Sequence, residues 1–194
     1  AKFPLPVVVL AALGMGATGG ALNGALVAGL GLPSLVVTLA TMVTLREGLR
    51  LVQQGVFVNL PDGLQWFGLP MKAGQGTVCG LALVILLLLN WAMRRLAGGR
   101  FVYAVGSDAE AARLAGIRPR TVTFGVFVLT GVLTGLAAAM NLVQSPQVDP
   151  GTGRMLELEV IAAAVVGGVA MSGGRGRLGG VLAGFLLLTC ITPA

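Results

Sequence analysis

Between Lys2 and Arg46 the chain carries no charged side chain, and between Lys72 and Arg94 it again carries none. Uncharged stretches of that length constrain the fold more than any other feature. A bilayer core takes about 20 apolar residues per helix. Inside it every backbone group must bond within its own segment or a closed barrel. The expected fold class is therefore all-α, a polytopic transmembrane helical bundle. Only 10% of the residues are charged, against roughly a quarter in soluble domains, so the chain has too little polar surface to dissolve.

Six hydrophobic segments follow, some short or broken. Leu5 to about Leu30 makes one helix, interrupted by Gly29–Pro33, and Ser34 starts the next. The segment Leu35 to Gln54 carries Arg46, Glu47 and Arg50 in its second half, which makes it a poor full span. Glu47 and Arg50 stand three apart and can pair on one face. Residues 55–75, with Asn59, Pro61-Asp62-Gly63, Trp66 and Pro70, and with Gly74 and Gly76 following, read as a loop carrying an interfacial tryptophan. Thr77 to Met93 is a clear span, and Thr121 to Leu142 is another. Leu158 to Ala170 is too short to cross alone and suits a cavity-lining helix. Leu178 to Thr192 begins a last span after the basic turn Ser172–Arg177.

The 31 glycines would weaken soluble helices, yet in lipid they let backbones approach closely. The run Gly14 to Gly24 holds several small-xxx-small pairs, for which close packing is the plain reading. Cys79 and Cys190 lie in apolar runs without a CxxC partner and are read as small core residues. The chain has no His and no GxxxxGK[ST] loop, so neither metal nor cofactor is expected, and ATP is not bound here in the P-loop manner.

The net charge of +6 is read as topology, with no role in nucleic-acid binding. Residues 94–120 hold Arg94, Arg95, Arg100, Arg113, Arg118 and Arg120, six of the 13 basic residues, against Asp108 and Glu110 alone. Such a loop is expected on the cytoplasmic side. Arg46, Arg50 and Lys72 then fall at or near the outer side, outweighed by the arginine-rich loop. Within the loop, Ser107 or Asp108 can cap a short helix that Gly116 ends before Pro119. Its small face, Ala109, Ala112, Leu114 and Ala115, suits docking into a cleft on another protein; an ordinary connector is the plainer alternative.

The run Gly99–Gly106 followed by Glu110-Ala-Ala-Arg-Leu-Ala-Gly-Ile117 closely resembles the coupling-loop signature of membrane subunits in bacterial ATP-binding-cassette importers. It is similar to the permease family for ribose and related monosaccharides, including rhamnose- and autoinducer-type systems, within the branched-chain amino acid/ribose permease superfamily. Three further stretches agree: Asn23-Gly24 with Leu32–Thr41, Gly151-Thr-Gly153 ahead of Leu158–Gly168, and Ser172–Gly176. The resemblance implies a multi-pass protein of the bacterial inner membrane. Residues 1–194 would be one partial permease domain, the central portion of a longer permease, with a cytoplasmic coupling loop at 94–120.

The resemblance places Glu110, Ala111, Ala112, Gly116 and Ile117 in the helix that fits the ATPase subunit. It implies further partners: a periplasmic substrate-binding protein facing residues 55–75 and 142–155, and a second permease subunit in a homo- or heterodimer. Asn23, Thr38 and Thr41 are polar groups in apolar helices that can line the pathway; for the threonines, a hydroxyl bonded back to its own helix is the plainer reading. Glu157 and Glu159 suit an interfacial position as well as the pathway. The implied function is carbohydrate import, a non-enzymatic role. An ion-coupled secondary transporter would keep ionisable residues mid-span, and a membrane enzyme would need clustered His, Asp or Glu. Branched-chain amino acid import is the nearest alternative within the superfamily, and the Phe101–Gly106 run argues for sugar.

Overall fold

The computed structural model describes residues 5–53, 58–59, 71–144, 147–148, 153 and 156–191. Among them the helices are α1 (Leu5–Gly24), α2 (Ser34–Gln53), α3 (Met71–Arg95), α4 (Ala97–Ser107), α5 (Ala109–Leu114), α6 (Pro119–Gln144), α7 (Leu156–Val166) and α8 (Leu178–Ile191). A π-helical turn, Ala25–Gly29, extends α1. Three helices are long and apolar enough to cross a membrane, over Pro6–Gly29, Lys72–Arg95 and Pro119–Leu142. α2, with its three charges, is not among them. The all-α polytopic reading holds, and α8 is a shorter apolar helix.

The chain forms two compact units, one of residues 1–81 and 123–152, the other of residues 82–122 and 153–194. In the first, α1 and α6 meet through glycine. A Cβ at Gly16 would overlap the Gly131 carbonyl, one at Gly20 the Phe127 carbonyl, and one at Gly135 the Ala12 carbonyl. Gly16, Gly20 and Gly24 recur every fourth residue and so share one face. Met15 and Leu22, on the opposite face, are 76% and 64% exposed. That pattern inverts a soluble core and suits a helix whose outer face meets lipid, where small residues form the contacts. Of the glycine run, Gly14 and Gly19 face open space and take no part in the contact.

The same unit holds a two-residue antiparallel pairing of β1 (Val58–Asn59) with β2 (Gln147–Val148), in the register Val58 to Val148 and Asn59 to Gln147. It joins the strand ahead of α3 to the strand after α6. The turn at Pro61–Gly63 and Trp66 lie outside the described residues. Met71–Gln75, expected in that loop, are helical and open α3. Gly74 is buried, and the Thr77 hydroxyl donates to its carbonyl at 2.7 Å.

In the second unit α7 and α8 form a tight hairpin. Cβ atoms at Gly180 and Gly184 would overlap the carbonyls of Gly167 and Ala163. α7 ends in a left-handed cap: Gly168 has φ +81°, its N–H donates to the Val165 carbonyl at 2.9 Å, and that of Val169 to Ala164 at 3.0 Å. This is the Schellman pattern of paired bonds. Glu157 and Glu159 occupy the first turn of α7, where the helix dipole favours acids.

Two expectations need correction. Cys79 and Cys190 are exposed, not core residues; the tight contacts go to glycine and alanine, and lipid accepts a small apolar thiol. Residues 94–120 are not mainly an irregular loop, because α4 and α5 together occupy most of that segment. Val102–Gly106 lie half-buried along α4, which holds a single arginine, Arg100.

Candidate functional site

The candidate site is built on two joints of one residue each. Leu96, extended at φ −84° and ψ 148°, separates α3 from α4, and Asp108, extended at φ −158° and ψ 108°, separates α4 from α5. Asp108 serves both helices. Its N–H donates to the Ala104 carbonyl at 3.1 Å and closes α4. Its carboxylate accepts the N–H groups of Glu110 at 2.9 Å and Ala111 at 3.0 Å and so opens α5. Of the two cap candidates, Asp108 fills the role.

α5 closes as the sequence predicts. Gly116 has φ +82°, its N–H donates to the Arg113 carbonyl at 3.0 Å, and that of Ile117 to Ala112 at 3.0 Å. A six-residue helix is too short to persist by propagation alone, so this pair of caps defines it. On its surface Arg113 Nε donates to Glu110 Oε2 at 3.1 Å and its second nitrogen to Oε1 at 2.5 Å. The side chains of Arg113 and Glu110 are 66% and 64% exposed, so the pair adds little stability and leaves both groups available.

The structure thus gathers Glu110, Ala111, Ala112, Gly116 and Ile117 on one capped turn. Their exposure differs: Ala112 is 4% exposed and faces inward, Ile117 is half-buried, and Glu110, Ala111 and Gly116 are exposed. The small face expected from Ala109, Ala112, Leu114 and Ala115 is divided. Residues two apart on a helix do not share a face, and Leu114 points outward at 80% exposure while Ala112 is buried. Beside α5 a groove of about 690 Å³ is lined by Ala109, Glu110, Arg113 and Gly116–Thr121. It places Arg118 and Arg120 next to the Glu110–Arg113 pair.

A contact missed in the sequence supports this corner. The Tyr103 hydroxyl donates to the Gly176 carbonyl at 3.0 Å, and the end of α4 lies against Gly173 and Gly174. Two stretches of the resemblance, Gly99–Gly106 and Ser172–Gly176, are therefore neighbours. The glycines of Ser172–Gly176 were the available signal, since clustered glycines mark close backbone approach.

In the first unit, Thr41 Oγ1 lies 2.7 Å from the Asn23 amide oxygen and 2.8 Å from the Val37 carbonyl. A hydroxyl has one proton. With that proton on the Val37 carbonyl, Asn23 satisfies the pair by turning its amide so that Nδ2 donates to Oγ1. The two residues join α1 to α2 just ahead of the π turn. Thr38 stands apart: its hydroxyl donates to the Ser34 carbonyl at 2.9 Å and no side chain on another helix bonds to it among the described residues. Among the described residues no three His, Cys, Asp or Glu side chains gather to hold a metal.

Comparison with known proteins gives the following. The chain is 36% identical over 192 residues to the autoinducer 2 import system permease protein LsrC of Salmonella typhimurium, covering 98% of this chain and 55% of the relative. It is 35% identical over 198 residues to the fructose import permease protein FrcC of Rhizobium meliloti, covering 96% of this chain and 54% of the relative. The LsrC protein of Photorhabdus luminescens is 33% identical over 192 residues, 98% of this chain and 58% of that protein. The chain spans about half the length of the curated relatives it matches. No solved structure matches it. The family described as branched-chain amino acid transport system / permease component matches residues 2–192, and the chain belongs to that family.

Proposed function

We propose that this chain is part of the permease subunit of an ATP-binding-cassette importer in a bacterial inner membrane. In this reading it forms translocation pathway for a monosaccharide or related small polar solute and performs no chemistry of its own. Its partners are an ATPase subunit, a periplasmic substrate-binding protein and a second permease subunit. The observation that carries the proposal is α5, a helix capped at both ends that presents Glu110, Ala111 and Leu114 outward. A connector needs neither two caps nor an exposed leucine. Glu110, Ala111, Ala112, Gly116 and Ile117 form the coupling element: Glu110 and Ala111 make contact, and Ala112, Gly116 and Ile117 hold its shape.

Relatives named for import of autoinducer 2 and of fructose support a sugar-like solute over a branched-chain amino acid, the substrate of the family's description. An ion-coupled mechanism is disfavoured because the spans from Pro6 to Gly29 and from Ala73 to Met93 carry no ionisable side chain but Cys79. Asn23 with Thr41 is the polar pair best suited to line the pathway. Thr38, bonded to its own helix, is the weaker candidate.

Co-purification tests the proposal. The full-length permease should retain its ATPase subunit through affinity chromatography, and Glu110→Lys, which puts a third cation beside Arg113 and Arg118, should lose it while still inserting in the membrane. Equal retention by both proteins would refute the coupling role of α5.

A further inference from the structure

A helix that docks an ATPase does work only if its movement reaches the membrane helices. Within the second unit the corner between α4 and α5 lies closely against the loop between α7 and α8. A Cβ at Gly106 would stand 2.8 Å from the Gly174 nitrogen, and one at Gly173 would stand 2.5 Å from the Gly106 oxygen. A Cβ at Gly174 would stand 2.6 Å from the Ser107 Cα. No real side chain fits such spaces, so backbone lies directly on backbone. Gly173 and Gly174 also hold φ of +87° and +69°, which other residues rarely adopt. One turn earlier on the same face of α4, Tyr103 ties the far side of the loop through its bond to the Gly176 carbonyl.

Both sides of this contact are stiff. Asp108 leaves one residue between α4 and α5 and caps both. The loop is closed on itself, with the Ala170 N–H donating to the Arg175 carbonyl at 2.9 Å and the Gly173 N–H to Ala170 at 3.0 Å. Behind it, the glycine contacts of Gly167, Gly180 and Gly184 lock α7 to α8.

We propose that Tyr103 and Gly106, clasped to Gly173, Gly174 and Gly176, are positioning residues that make α4 and α5 move with the α7–α8 hairpin as one body, so that displacement of the docking helix is delivered to that hairpin. The inference rests on the docking role of α5. Backbone contact without intervening side chains leaves no rotamer to absorb a displacement, and interdigitated packing transmits it.

The test uses the full-length permease with its ATPase subunit, native cysteines replaced by Ser, and spin labels at Arg100→Cys on α4 and Met171→Cys in the loop. Both sites are exposed, Met171 at 83%. The expected result is one narrow distance with the same peak in the nucleotide-free and the ATP–vanadate-trapped complex. Gly106→Val should broaden it. Tyr103→Phe should also broaden it, because loss of a neutral hydrogen bond shifts an open-closed equilibrium by about threefold to tenfold. A peak that moves between the two states in the wild type overturns the clasp, as does a wild-type distribution in both variants; if Gly106→Val fails to fold, Tyr103→Phe decides alone. Width and variant broadening are also read in the permease without ATPase, so absence of ATPase binding counts against the docking role and leaves the clasp separately decided.

Discussion

Asp108 closes α4 with its N–H and opens α5 with its carboxylate, so replacing it acts on two helices at once. Loss of an N-cap side chain costs about 1 kcal/mol, close to a fivefold change in an opening equilibrium. Asp108→Ala should therefore speed amide hydrogen exchange of residues 110–116 by about that factor, and Asp108→Asn, which keeps an accepting oxygen, should restore protection. Unchanged exchange in Asp108→Ala would remove the cap from the account. At the other end, Gly116 at φ +82° tolerates a β-carbon poorly. Gly116→Ala should destabilise the turn by about 1 kcal/mol, the cost of left-handed backbone for an L-residue, with Gly116→Asn closer to wild type. These residues were legible in the sequence because caps obey local rules: a short acidic residue before the helix, a glycine after it.

Elements were less evenly legible. The long spans declare themselves by freedom from charge, and α6 runs within two residues of its expected ends. α4 did not, because the partner of its half-buried residues, the loop of Gly173–Gly176, lies some seventy residues onward. The glycine run shows the same limit. Its composition announces close packing, yet which glycines pack depends on where α6 lies. Gly20 meets the Phe127 carbonyl, while its neighbour Gly19 meets nothing within 4 Å. Two substitutions one residue apart should therefore differ: Gly20→Leu should destabilise the detergent-solubilised protein by about 1–3 kcal/mol, as overpacking does, and Gly19→Leu should stay near wild type. Thermal unfolding followed by helical circular dichroism makes the comparison. Equal losses would mean that the α1–α6 contact does not exist as described. The exposed cysteines teach a related lesson, since apolar surroundings in sequence do not imply burial when lipid is the solvent.

At the scale of the whole molecule, the pairing of β1 with β2 joins the strand that precedes α3 to the one that follows α6. The arginine-rich segment 94–120 supports the proposal that α5 faces the cytoplasm. Ala109→Cys should then resist a membrane-impermeant maleimide in intact cells and react after permeabilisation; labelling of intact cells would invert the topology. The central claim is that α5 meets the ATPase subunit, and photo-crosslinking tests it most directly. A benzophenone amino acid would replace Leu114 in the full-length permease, and in a second protein Leu51 on α2; the two sites are 80% and 81% exposed, so accessibility is matched. The account predicts a crosslink to the ATPase subunit from position 114 and none from position 51. Capture from position 51 alone, or from neither site in a complex that still hydrolyses ATP, would contradict it.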